Sequence, residues 1–352
     1  MLDNFLSTRT FRNLSLISLT TLALSSCEKT ESTPTQPYDE GVFVINEGNF
    51  SSNNGTVSLI SRNSKTATLD VFMKENNKSL AGGVAGYGEV DDKGLILVDN
   101  STAGKDLVEV VNARTFKSIA TIKTDIENPR DVAKVGTNKA YITCFGTNAD
   151  YKYKTSYVAV VDLVSNTVTK KIPISNACES IIVVGNSAYL GSIYDGSTFI
   201  TILDIQKDEI SSTVQVGRHP GFFSLDASNK IWMTAGPNLV LFNPVTKSIE
   251  TTIKAGSDAT KNPSNLSISD DKKTLFYSYN RTVVALDIAS QTQKTIINRS
   301  FASVGFDKKS GQVYASIIPS YVQAGYVFRY QTSGTLIDSV KTEIAPSGFY
   351  FK

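Results

Sequence analysis

The feature that most limits the fold of this chain is a repeat. From about residue 80 a four-part unit recurs. A short apolar strand, entered after a Pro or a small residue, comes first. A tight turn leads to a strand with Tyr or Trp near its start. An alternating strand ending in Asp or Asn follows, and then a fourth, more polar strand. The third-strand ends align as Val108-Glu109-Val110-Val111-Asn112, Val158-Ala159-Val160-Val161-Asp162, Ile200-Thr201-Ile202-Leu203-Asp204, Leu239-Val240-Leu241-Phe242-Asn243 and Val283-Val284-Ala285-Leu286-Asp287. Asp or Asn at that point caps the next turn through its own backbone. First strands begin near Gly83, Arg130, Glu179, Gly221, Asn265, Ala302 and Ser347, so successive starts differ by 47, 49, 42, 44, 37 and 45 residues. A period of this size points to propeller blades. A β-sandwich, the competing all-β answer, has no such strict four-strand period.

The two ends settle the count. Val42-Phe43-Val44-Ile45 reads as a second strand, Val57-Ser58-Leu59-Ile60 as a third and Thr68-Leu69-Asp70-Val71 as a fourth, with no first strand ahead of them. Gly348-Phe349-Tyr350-Phe351 supplies it, behind Pro346 as Arg130 lies behind Pro129. The chain ends then share one blade, which removes the free sheet edges that promote aggregation. The expected fold is all-β: a seven-bladed β-propeller of four-stranded blades, spanning residues 41–352.

The segment ahead of the ring has a different logic. Arg9 and Arg12 precede an apolar stretch from Leu14 to Leu24. It is about half of the roughly 20 residues a membrane-spanning helix needs, which is the layout of a secretory signal. Leu24-Ser25-Ser26-Cys27 follows, and this run resembles the bacterial lipobox. The expected processing removes residues 1–26 and leaves Cys27 as an acylated N-terminus. Residues 28–40 are rich in Ser, Thr, Pro and Glu and read as a flexible tether. An outer-membrane, lipid-anchored location, with the domain at the cell surface, is the expectation.

Charge and composition exclude several classes of function. Lys and Arg number 35 against 33 Asp and Glu, so no basic field draws nucleic acid. His219 is the only histidine, which excludes a multi-histidine metal site. No Gly-x-Ser-x-Gly elbow, Gly-rich phosphate loop or haem-attachment motif is present. No cofactor is expected, and no convincing catalytic constellation stands out. Past Cys27 the cysteines are Cys144 and Cys178, predicted near one face on adjacent blades. They are either a disulfide or two buried small hydrophobes.

The repeats resemble YVTN/YncE-type seven-bladed propellers. The opening Phe43-Val44-Ile45-Asn46-Glu47-Gly48-Asn49-Phe50, with Asn53-Asn54-Gly55, resembles a Bacteroidetes family of lipoprotein propellers of the DUF5074 type. Glu28-Lys29-Thr30-Glu31 is loosely similar to the surface-export signals of such lipoproteins. One related surface lipoprotein captures cobalamin for a TonB-dependent outer-membrane transporter. The resemblance therefore implies a small-molecule ligand, cobalamin or a related corrinoid, with such a transporter as partner.

In a propeller the fourth-to-first and second-to-third connections gather on one face, where ligands usually bind. Here that face is expected to carry Glu47, Asn49, Phe50, Tyr151, Tyr153, Tyr194, Tyr279 and Tyr321, with Arg130, Glu179 and His219 at successive first-strand starts. Rings stack on a flat ligand while amides and charges bond its edges. The three first-strand residues read equally as ligand contacts or as an ion pair between blades. Alternatives to small-molecule capture are a protein- or glycan-binding surface module and a propeller hydrolase such as a lactonase, which would need axial carboxylates and a metal.

Overall fold

The alternating apolar residues of each blade face two neighbours, and this spaces the core around a ring. In Asn238–Asn243, Leu239 packs toward the following blade while Val240 and Phe242 pack toward the preceding one. A single four-stranded sheet cannot bury both faces alone, so each blade is stabilised by the next. The computed structural model describes residues 35–147, 153–194 and 196–352. Among them are seven antiparallel four-stranded sheets. Seven apolar clusters fill the spaces between successive blades, the last joining blade seven to blade one through Val42, Val44, Ile60, Tyr314, Val327 and Val340.

The innermost strands are Pro346–Phe351 in blade one, Gly83–Val90 in blade two, Pro129–Gly136 in blade three and Ser180–Val184 in blade four. Gly221–Leu225, Ser264–Ile268 and Ser303–Asp307 continue the ring through blades five to seven. Each starts within a residue of its predicted position. Blade one closes as expected: Val42–Asn46 pairs with Pro346–Phe351, Val44 opposite Phe349. No helix among the described residues is long and apolar enough to cross a membrane.

Two expectations are corrected. The fourth strand predicted at Thr68-Leu69-Asp70-Val71 is only Ala67–Thr68, and a helix, Val71–Asn76, follows it. The Asp70 side chain accepts the Met73 N–H and starts that helix, whose Val71 and Phe72 are fully buried. The tether predicted over residues 28–40 does not extend to its end, because the compact unit spans Gln36–Lys352. Tyr38 is 1% exposed. Its ring packs on Phe43 and Phe116, and its hydroxyl donates to Glu75 at 2.7 Å. Asp39 takes two hydrogen bonds from Arg114, at 2.7 and 2.8 Å. An aromatic covering two blades and an ion pair behind it outweigh the polar composition around them.

Several innermost strands carry bulges, which bear directly on the site. In blade three Pro129 pairs with Cys144 and Val132 with Ile142, so Arg130 and Asp131 together oppose Thr143. A bulge of this kind bends the strand and re-aims its side chains. Similar irregularities occur at Val84/Gly86, Gly221/Ser224 and Ser264/Ser267. Phe222 and Asn265 lie inside the last two with φ of 49° and 55°.

Candidate functional site

The bulge at Arg130–Asp131 organises one mouth of the channel. Arg130 pairs with Asp99 of blade two and donates to the Asn128 side chain at 3.1 Å. Its guanidinium lies 4.7 Å from the Phe145 ring centroid, a cation–π contact. Asp131 turns the other way, across to blade four. Its carboxylate accepts the Ile181 N–H at 3.0 Å and its own neighbour's, from Val132, at 2.8 Å. Channel solvent touches part of Asp131, yet the ring encloses the group. Burial pushes its pKa up to about 6, against the pull of those two N–H groups.

Glu179 stands beside this pair. Burial raises its pKa to about 7, Arg130 opposes the rise, and Asp131 and Glu47 add to it. Glu47 is also raised, first by burial and then by Asp99, again with Arg130 opposing. These linked effects place Glu47, Asp99, Arg130, Asp131 and Glu179 in one electrostatic set. Several atoms of the set are sealed from solvent and lack a hydrogen-bond partner: Glu179 Oε2, Asp99 Oδ1 and Arg130 Nε, together with Ser180 Oγ next in sequence to Glu179. Unpaired buried polar atoms are costly and rare in native folds.

An aromatic wall flanks the set. Phe145 and Tyr153 meet edge-on at 4.7 Å between centroids, Phe145 and Tyr194 at 5.8 Å, and Tyr153 and Tyr194 stack at 5.6 Å. Tyr194 remains 41% exposed, which leaves ring surface open. Its hydroxyl pKa is raised by burial and then by the Glu179 charge, which ties the wall to the acidic group.

The other predicted site residues are distributed more widely. Asn49 is structural: its side chain accepts the Ser52 N–H at 3.1 Å and donates to the Tyr321 carbonyl at 3.1 Å, joining the rims of blades one and seven. Phe50 and Tyr321, each 54% exposed, stand on that rim. His219 has φ of 54°, and its backbone N–H bonds Ser197 O at 2.7 Å, fixing the entry to blade five. Tyr279 braces a loop: its hydroxyl receives the Asp258 N–H and donates to the Asp258 carbonyl, both at 2.8 Å. Cys27 and Tyr151 lie outside the described residues. A cavity of about 640 Å³ lies elsewhere, between blades six and seven around Phe276, Ile296 and Phe306. None of its lining residues leaves a buried polar atom unpartnered, so the mouth is the better candidate.

The disulfide alternative is corrected: Cys144 and Cys178 are both free and buried. The Cys178 thiol points at the carbonyls of Cys144 and Tyr157, each 3.4 Å away, rather than at the other sulfur. Burial raises both thiols, Cys144 to about 12. Iodoacetamide labelling of the native protein, followed by peptide mass spectrometry, is expected to leave both unmodified. Denaturation without reductant is expected to expose both to alkylation; failure to label them then would restore the disulfide.

Seven four-stranded blades around a channel, with a polar and aromatic mouth, define a β-propeller of the kind that presents its site at one end of the ring. The chain belongs to the family described as a domain of unknown function, DUF5074, which matches residues 40–352. No curated protein matches it. Among solved structures it is similar to a quinonprotein alcohol dehydrogenase-like protein of Bacteroides thetaiotaomicron: TM-score 0.69, 16% identity, covering 89% of this chain and 78% of that one. It is also similar to hydrazine synthase of Kuenenia stuttgartiensis: TM-score 0.59, 13% identity, covering 75% and 88%. At such identities the likeness is one of fold.

Proposed function

We propose that this protein is a non-catalytic receptor, anchored to the outer membrane through Cys27, that holds a small ligand at this mouth for a TonB-dependent transporter. The observation that carries the reading is the set of sealed, unpartnered polar atoms on Glu179, Asp99, Arg130 and Ser180 beside an open aromatic wall. Local costs of this kind are expected where a fold serves binding rather than stability. A corrinoid is the specific cargo proposed: its flat ring suits Tyr153 and Tyr194, and its carboxamide N–H groups suit the carboxylates. Equilibrium titration of the purified protein with cyanocobalamin tests this. Saturable binding that weakens about tenfold or more in Tyr194→Ala is expected for loss of one stacking wall. No binding at high micromolar cyanocobalamin would remove the corrinoid version.

One observation favours a macromolecular contact as well. Phe50, Tyr321 and Val322 are 54%, 54% and 74% exposed on the blade one and seven rim, held together by the Asn49 bridge. That rim suits the transporter contact, or the protein-binding alternative.

A further inference from the structure

The polarity of the mouth is lopsided. The strongest charges acting on Glu179 are Arg130, Asp131 and Glu47, and on Glu47 they are Arg130 and Asp99. One guanidinium therefore serves three carboxylates, Glu179, Glu47 and Asp99. It is already committed to Asp99, Asn128 and the Phe145 face. Glu179 Oε2 and Asp99 Oδ1 remain sealed and without donors. Ser180 Oγ, also unpartnered, sits where Cβ atoms added at Gly191 or Gly221 would lie 3.0 and 3.7 Å from it. Gly221 thus lets blade five approach Ile193 closely, since a Cβ there would lie 2.7 Å from the Ile193 Cγ2. Among the described residues no three carboxylate, thiol or imidazole groups converge as a metal site would require. The mouth is therefore short of positive charge and of donors to Glu179.

We infer that the mouth recognises an organic ammonium group, which donates to the Glu179 carboxylate while its hydrocarbon lies against Tyr153 and Tyr194. Each part of that group meets a matching part of the site. Its N–H donors meet the Glu179 carboxylate, its charge offsets the carboxylate excess, and the ring faces attract a cation and cover its carbon chain. The inference rests on the capture reading but not on its corrinoid version. Neutralising Glu179 by protonation would weaken such a ligand, so affinity falls as pH drops below about 7.

Three probes that share a phenylethyl group test it by ligand-observed NMR titration of the full protein: 2-phenylethylammonium, 2-phenylethanol and 3-phenylpropionate. The ammonium is expected to bind about tenfold or more tightly than the alcohol, the size of effect a charge-assisted hydrogen bond gives. Glu179→Gln is expected to bring the two within about twofold, while Glu179→Asp retains the preference and confirms that the site still folds. Equal affinities for all three probes, no binding of any, or preference for the carboxylate would overturn the inference. The first would mean that water fills the gap, the last that Arg130 is the recognising group. Cyanocobalamin binding without any charge preference among the probes would refute the ammonium inference and leave capture standing. Failure of all four ligands would remove the ammonium inference and the corrinoid version of capture together.

Discussion

Asp307→Ala is expected to lower the unfolding free energy by about 3–5 kcal/mol, the cost of breaking a buried ion pair from one side. Asp307 ends the innermost strand of blade seven and is 1% exposed. It takes two hydrogen bonds from Arg62 of blade one, at 2.7 and 2.9 Å, and one from Ser310 Oγ at 2.6 Å. Burial alone would raise its pKa; Arg62 and Ser310 outweigh that and hold it below the usual carboxylate range. Arg62 also donates to the carbonyl of Lys352 at 2.7 Å, and Arg329 of blade seven donates to the Arg62 and Ser64 carbonyls at 2.6 and 2.8 Å. These bonds stitch the seam where the chain ends meet. Removing Asp307 strands the Arg62 charge, whose side chain is only 13% exposed. Replacing both partners, Arg62→Met with Asp307→Leu, is expected to recover most of the loss, because no charge is then left unpaired. Urea unfolding midpoints with an unchanged slope measure both variants. A single-variant loss below about 1 kcal/mol would show that the seam is held by its apolar cluster instead.

Most of the ring was legible from sequence because its information is periodic. Each third strand declares itself by alternation and a closing Asp or Asn, and each blade must bury two faces, so spacing alone fixed seven sheets. The closure was legible for a related reason: a first strand was missing at one end and present at the other. Local competition was harder to read. Asp70 caps a helix through Met73 N–H, yet Thr68-Leu69-Asp70-Val71 carries strand-like alternation as well. Tyr38 sits in tether-like composition but is buried by residues far away in the chain.

The site was legible only as a set of loops. Arg130, Glu179, Tyr153 and Tyr194 come together as their strand positions imply, while Tyr279 turns inward to Asp258. Asp131, Ser180 and Phe145 were missed. Simple alternation places residues 130 and 131 on opposite faces of a regular strand; the bulge opposite Thr143 instead aims one at the mouth and one at blade four. The signal available was Pro129, which cannot donate to a ladder and so favours strand starts and bulges.

Glu179→Gln is expected to stabilise the protein at pH 8 relative to its effect at pH 5. Glu179 has its pKa raised from 4.5 to about 7. The folded state therefore holds a proton that the unfolded state has already released in the window between those values. Unfolding then takes place with loss of that proton, and stability falls as pH rises from 4.5 to about 7, then levels off. At about 1.4 kcal/mol per pKa unit, this slope amounts to about 3 kcal/mol. Asp131, raised from 3.8 to about 6, adds a slope of the same sign at lower pH. Glutamine has no proton to lose, so the variant lacks the Glu179 contribution. Any constant change in packing or hydrogen bonding cancels when its stability difference at pH 5 is subtracted from that at pH 8. The groups facing Glu179 are Arg130, Asp131, Glu47, Tyr194 and Cys178. Burial pushes the Tyr194 hydroxyl and the Cys178 thiol up and away from this range, which leaves the carboxylates. An equal effect of the variant at both pH values would mean that Glu179 is ionised without penalty in the free protein. The strain assigned to the mouth would then be absent. The expected result instead shows a carboxylate kept at a cost in stability where a ligand's positive charge would relieve it, the usual trade between function and stability. Saturating 2-phenylethylammonium should then flatten the pH dependence of the parent protein and leave Glu179→Gln unchanged.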